Sequence, residues 1–143
     1  MHVHAILASK GSGIATIRPD ETIAAASRML SELRIGALVV TSDGSMPDGI
    51  LSERDIARAV ADPGGAIGEL PVSALMSSSV ITCAPGDDIA TLMSVMTELR
   101  IRHLPVINGG RMVGIVSIGD VVKARLEEIE HDAEVLREYI ATA

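Results

Sequence analysis

Two pairs of side chains stand in the same setting and are the ones equipped for chemistry. Ser52 and Asp55 follow Gly49-Ile50-Leu51, and Ser117 and Asp120 follow Gly114-Ile115-Val116. A serine at the start of a helix lies beside free backbone N–H groups and the positive end of the helix dipole, a setting that suits a phosphate. An aspartate one turn further on offers two acceptor oxygens, which suit the vicinal hydroxyls of a ribose. The same spacing is also close to a capping box, in which serine and an acidic residue satisfy the orphan N–H groups of the helix start. The two readings are compatible, because an aspartate can cap the helix while its site is empty.

Reactive chemistry finds less support. The sequence has no glycine-rich phosphate loop ending in Lys-Ser/Thr and no His-Glu-x-x-His, and Gly11-Ser12-Gly13 is too short to serve as such a loop. His2, His4 and His131 do not have metal-ligand spacing, and Cys83 alone forms neither a disulfide nor a metal site. Cys83 reads as a small buried hydrophobe at a strand. The expectation is a binding protein and not an enzyme. A net charge of −7, with scattered basic residues and Tyr139 as the one aromatic of the Phe-Trp-Tyr class, argues against a nucleic-acid partner. No apolar run reaches the ~18–20 residues of a membrane span, and the N-terminus lacks a signal-peptide pattern, so a cytoplasmic location is expected. With no Phe or Trp, a planar ligand would lie between aliphatic walls.

The elements that must position these residues come in two copies. Thr16-x-x-Pro19 recurs 66 positions later as Thr82-x-x-Pro85, and Glu32-Leu33-Arg34-Ile35 recurs as Glu98-Leu99-Arg100-Ile101. Leu38 and Val40 match Leu104 and Val106. After a one-residue difference in the intervening turn, the two Gly-to-Asp segments align. Each copy predicts a short strand (14–17; 80–83) running into a proline and acidic residues that open a helix. Apolar residues spaced three and four apart follow, at Ile23, Ala26, Leu30 and Leu33, and at Ile89, Leu92, Met96 and Leu99. A strand (35–40; 101–107), a turn rich in Gly, Asp and Asn, a second strand (49–51; 112–116) and a closing helix from Ser52 or Ser117 complete the unit. The fold class expected is α/β, or α+β by some schemes: two βαββα repeats packed with pseudo-twofold symmetry, plus a long C-terminal helix. The divisions expected are an N-terminal segment 1–13 packed on the cleft between repeats, repeat 1 at 14–62, a linker at 63–79, repeat 2 at 80–125 and an extension at 126–143.

This pattern resembles a pair of CBS domains, the repeat named after cystathionine β-synthase. The resemblance rests on the βαββα order, the Gly-hydrophobic-x-Ser-x-x-Asp segment in both copies and Arg100-Ile101-Arg102-His103-Leu104-Pro105-Val106. It is closest to stand-alone CBS-pair proteins of bacteria and plant organelles, through Ser52-Glu53-Arg54-Asp55, Val116-Ser117-Ile118-Gly119-Asp120-Val121-Val122 and the extra C-terminal helix. It implies a regulatory module that binds AMP, ADP, ATP, NAD(H) or S-adenosylmethionine, often as a flat dimer, without catalytic residues. By the same resemblance each cleft draws on both repeats. The Asp55 cleft would take Ile50 and Ser52, with Ser78, Val80, Ile101, Arg102 and His103. The Asp120 cleft would take Ile115 and Ser117, with Ser12, Ile14, Ile35, Gly36 and Ala37, and Lys10 nearby. Arg102 and His103 can neutralise phosphates, whereas their counterparts Gly36 and Ala37 cannot. Phosphate-rich ligands are expected in the Asp55 cleft and neutral or less charged ones in the Asp120 cleft.

From Gly119 onward one long helix is predicted. Val122, Leu126, Ile129, Ala133, Leu136 and Ile140 alternate four and three apart, and acidic residues fill the other faces. Such a seam either packs on its own domain or pairs with its twin across a twofold axis, and a homodimer held by this helix and the helices of the repeats is the expectation. With no effector domain in the sequence, a ligand signal would pass to an unidentified partner protein or reside in the dimer itself. The alternative is a ligand-free scaffolding dimer.

Overall fold

The computed structural model describes residues 1–61 and 65–142. Among them run α1 (Val3–Lys10), β1 (Thr16–Ile17), α2 (Ile23–Leu33), β2 (Ala37–Val40), β3 (Gly49–Ser52), α3 (Glu53–Ala61), α4 (Ile89–Leu99), β4 (His103–Asn108), β5 (Arg111–Ser117) and α5 (Ile118–Thr142). Two 3-10 turns, Ile67–Glu69 and Val72–Ala74, join the halves. The linker residues Pro63 and Gly64 and the last residue of the first repeat, Asp62, lie outside the described residues. Repeat 1 builds a three-stranded sheet in the order β1-β2-β3, with β1 parallel and β3 antiparallel to β2. Repeat 2 pairs β4 with β5 antiparallel.

The duplication extends to the caps. α2 starts on Thr22, whose hydroxyl accepts from Ala25 N, and α4 starts on Asp88, whose carboxylate accepts from Thr91 N. The prolines expected to open these helices lie three residues upstream of the caps. Their carbonyls bind other segments, Pro19 O accepting from Ser73 N and Pro85 O from His4 N. Both helices end on an arginine in the left-handed region, Arg34 and Arg100, each at φ 54°. The chain is still closing the helix there, so β2 and β4 begin two residues later than the periodicity predicts.

Packing follows the same equivalence. One core gathers Ile17, Ile23, Ala26, Leu30, Leu38, Val40, Leu51 and Val72. The other gathers Cys83, Ile89, Leu92, Met96, Leu104, Val106, Val116 and Val3 at the matching places, extended by Ile6, Val121 and Ala124. Every one of these side chains is aliphatic or sulfur-bearing. Burying each of the larger ones is worth roughly 1.5–3 kcal/mol. Burial pushes the Cys83 thiol up to about 12, so it stays protonated and acts as a hydrophobe.

Val72 and Val3 reveal a layer that the periodicity does not. Leu70 O accepts from Ile23 N, and Val72 N donates to Glu21 O. On the other repeat Met1 O accepts from Ile89 N, and Val3 N donates to Asp87 O. Segment 70–76 therefore caps repeat 1 as segment 1–7 caps repeat 2. Each repeat is covered by the stretch that leads into the other. The N-terminal segment is thus a helix seated on repeat 2, where Leu7 lies against Gly114 just as Met76 lies against Gly49.

One predicted strand is absent. Residues 80–83 make a single parallel bridge, Cys83 with Val106, through Cys83 N to Pro105 O and Ile107 N to Cys83 O. In repeat 1 the next rung is Val39 N to Ala15 O, at 3.1 Å. The counterpart of Val39 is Pro105, which has no N–H to donate to Ile81, so the ladder stops. β1 itself is shorter than predicted, Thr16–Ile17 pairing with Val39 and Val40.

Candidate functional site

Both Ser-x-x-Asp junctions sit where a strand turns into a helix, and both are closed by reciprocal capping. Asp55 Oδ2 accepts from Ser52 N at 2.8 Å and from Ser52 Oγ at 3.0 Å, while Ser52 Oγ accepts from Asp55 N at 3.3 Å. Asp120 Oδ2 accepts from Ser117 N at 2.9 Å, and Ser117 Oγ accepts from Asp120 N at 3.1 Å. The capping role is therefore real at both junctions. It engages one oxygen of each carboxylate and leaves Oδ1 without a side-chain partner among the described residues.

The Asp55 cleft is a cavity of 530 Å³ between the repeats. Its walls include Ile50, Ser52, Asp55, Val80, Ile101, Arg102 and His103, as the sequence predicts, and Ile81. Ser78 does not line it; its neighbours Ser77 and Ser79 do, because Ser77 is pinned to β3 by paired hydrogen bonds with Ile50. Three further arginines enter the wall: Arg54 and Arg58 from α3, and Arg100 from the left-handed cap of α4. Arg54 and Arg58 stand one turn apart on the helix that carries Asp55, a spacing visible in the sequence. Arg100 becomes a wall residue through its backbone conformation, which sequence does not display.

The Asp120 cleft is a cavity of 710 Å³. Lys10, Ile14, Ile35, Gly36, Ala37, Ile115 and Ser117 line it as predicted, with Gly13, Ala15, Leu33 and His103. Ser12 does not line it, because Gly11 (φ 93°) turns the chain out of α1 and brings Gly13 and Ile14 to the wall. Asp120 itself is not in the wall: its Oδ2 is engaged by two residues that are, accepting from Ser117 N and from Lys10 Nζ at 2.7 Å. Both cavities fall in the volume range of sites for small organic ligands.

Gly36, His103 and Ser117 belong to both cavities. The imidazole of His103 lies over Gly36, where a methyl group would stand 3.7 Å from the ring. Burial, reinforced by Arg102 and Lys10, holds His103 below the ordinary histidine range, against the pull of Asp120 and Glu53. It is neutral at pH 7. Burial pushes the Asp120 carboxyl up, but the Lys10 ammonium and the Ser117 N–H outweigh it and keep the group below its ordinary value. Aliphatic side chains flank each cleft, and the charge between them is uneven: four arginines in one wall and one lysine in the other.

The family profile of the CBS domain matches residues 11–62 and residues 72–127. The chain belongs to the CBS-domain family. Among its relatives is the mitochondrial CBS domain-containing protein CBSX3 of Arabidopsis thaliana, 36% identical over 125 residues, which are 85% of this chain and 61% of that protein. The chain thus spans less than two thirds of that plant relative. The CBS domain-containing protein YhcV of Bacillus subtilis is 34% identical over 109 residues, 76% of each chain. The crystal structure of a CBS-domain protein from Agrobacterium tumefaciens superposes with a TM-score of 0.83 at 42% identity, covering 87% of this chain and 99% of that one. A CBS-domain protein of Pyrobaculum aerophilum, solved in complex with AMP, superposes with a TM-score of 0.73 at 29% identity, covering 84% of this chain and 89% of that one. The fold of this chain is therefore the CBS pair: two repeats about a pseudo-twofold axis with a long C-terminal helix. No helix among the described residues is long and apolar enough to cross a membrane.

Proposed function

We propose that this CBS pair is a regulatory module that binds adenine nucleotides of the AMP, ADP, ATP or NAD(H) type in its two clefts and passes the occupancy to a partner protein. The observation that carries the reading is the doubled junction. Each cleft has a helix start with a serine in its wall and aliphatic flanks that suit a flat base; Asp55 lines its cleft, and Asp120 stands behind Ser117 and Lys10 of the other. Ribose hydroxyls would bind Asp55 and Asp120, and the phosphates would lie toward Ser52 or Ser117. Ile50, Val80 and Ile101 in one cleft, and Ile14, Ile35 and Ile115 in the other, would hold adenine. Gly36 and Ala37 leave room beside it. The AMP complex of the Pyrobaculum relative supports the ligand class.

The two sites are inequivalent in this reading. Arg54, Arg58, Arg100 and Arg102 make the Asp55 cleft the polyphosphate site. The Asp120 cleft, with Lys10 alone, takes the less charged ligand. The molecule works as a homodimer, because Val122, Leu126, Ile129, Leu136 and Ile140 of α5 lie exposed along one seam, while Val121 and Ala124 pack on the domain. The function is to bind and signal; no turnover of the nucleotide is invoked.

A thermal-shift panel with AMP, ADP, ATP, NADH and S-adenosylmethionine tests the reading. A ligand at a hundred times its Kd raises stability by about 2.7 kcal/mol, a readily measured rise in Tm. At least one adenylate is expected to give it. No shift with any ligand favours a scaffolding dimer with empty clefts.

A further inference from the structure

The two aspartates are held differently, and the difference falls on one residue. Asp55 bonds only to its own Ser52. Asp120 is bridged to α1: Lys10 Nζ donates to Asp120 Oδ2 at 2.7 Å and to Ile115 O at 3.1 Å. Ile115 corresponds to Ile50, whose carbonyl accepts from the backbone N–H of Ser77 at 2.9 Å. Where repeat 1 closes this strand edge with backbone, repeat 2 closes it with an ammonium group. Lys10 is the last residue of its helix, and Gly11 at φ 93° follows it. Its side chain can therefore turn while Val3 and Ile6 keep α1 seated in the core.

We propose that Lys10 is a charge-selecting residue that makes the Asp120 cleft favour an adenosine compound carrying one phosphate over the neutral nucleoside. The proposal rests on the adenylate reading of that cleft. A ribose hydroxyl offered to Asp120 competes with the ammonium already bound there. A neutral nucleoside leaves Lys10 with a weakened anionic partner in a half-buried position. A monophosphate gives the ammonium a new anion as the ribose takes the old one. The Asp55 cleft has no such latch, and its four arginines accept a longer phosphate chain.

Calorimetric titration of the full chain carrying Asp55→Ala, which weakens the other cleft, reports on the Asp120 cleft. AMP and adenosine are the probes, and Lys10→Met and Lys10→Arg are added to that background. Lys10→Met is expected to weaken AMP binding by about tenfold, the scale of one lost charged hydrogen bond, and to strengthen adenosine binding. Lys10→Arg is expected to retain the preference for AMP, which separates charge from any effect on folding. An AMP-to-adenosine affinity ratio unchanged by Lys10→Met overturns the role of Lys10 and leaves the adenylate reading standing. Binding of neither probe to the Asp55→Ala protein overturns the adenylate reading of this cleft, and the proposal with it.

Discussion

His103 stands at the wall shared by the two clefts, and its proton is the most sensitive reporter of what fills them. Its value is depressed below the ordinary one of about 6.5, mainly by burial. The folded chain thus prefers the neutral ring. This contributes stability that is present above the ordinary value and lost as pH falls through the depressed one. A phosphate beside Arg102 and His103 reverses the preference, because the imidazolium gains an anionic partner. ATP binding near pH 6.5 should therefore take up a proton, seen as a dependence of the calorimetric enthalpy on the ionisation enthalpy of the buffer. His103→Gln should remove most of that uptake. What remains belongs to the ligand's own phosphate. Equal uptake by both proteins would place the phosphate away from His103.

At the scale of the element, the glycines that precede the two junctions do the same job with different tolerance. A methyl on Gly49 would stand 2.6 Å from Met76 Sδ and 2.8 Å from the carbonyl oxygen of Ser77, and the second contact is to backbone. A methyl on Gly114 would meet only the side chain of Leu7, at 2.6 Å. Gly49→Ala should therefore cost about 1–3 kcal/mol, whereas Gly114→Ala should cost about 1 kcal/mol or less, since Leu7 can change rotamer. Chemical denaturation of the two variants checks this, and equal losses would contradict it. These contacts also mark the limit of what could be read from sequence. The βαββα units, their apolar stripes and the run of α5 were legible because period and repetition express them directly. The capping segments were not. Met1–Leu7 and Leu70–Met76 do share Val3/Val72, Ala5/Ala74 and apolar pairs at Ile6/Leu75 and Leu7/Met76, but their offset of 69 differs by three from that of the repeats, so a comparison at offset 66 passes over them. The missing strand at 80–83 was legible in principle, because Pro105 announces it, but only once the rung it interrupts is known. Among the site residues, the junctions followed from repetition and the aliphatic walls from the resemblance to CBS pairs. Ser12 and Ser78 missed the clefts by a residue because local turns set which neighbour faces inward.

For the whole molecule, each repeat depends on a segment that leads into the other, so the chain is interlocked through Val3 and Val72, both wholly buried. Among the described elements α5 carries the most exposed large apolar side chains. Leu126 and Ile129 are about half exposed and lie on one seam with Leu136 and Ile140. The double change Leu126→Glu and Ile129→Glu should convert a dimer to a monomer in sedimentation equilibrium without loss of helical circular dichroism. An unchanged mass would move the dimer contact elsewhere. The pseudo-twofold axis relates two similar junctions, while the walls around them differ, with four arginines on one side and Lys10 on the other. The molecule is thus even in its fold and uneven in its charge.

That unevenness is tested most directly by titrating ATP into the wild-type chain and into Asp55→Ala by calorimetry. Asp55→Ala is expected to weaken the tighter ATP-binding event by about tenfold or more and to leave the event at Asp120 unchanged. An ATP isotherm that Asp55→Ala leaves unchanged would contradict it.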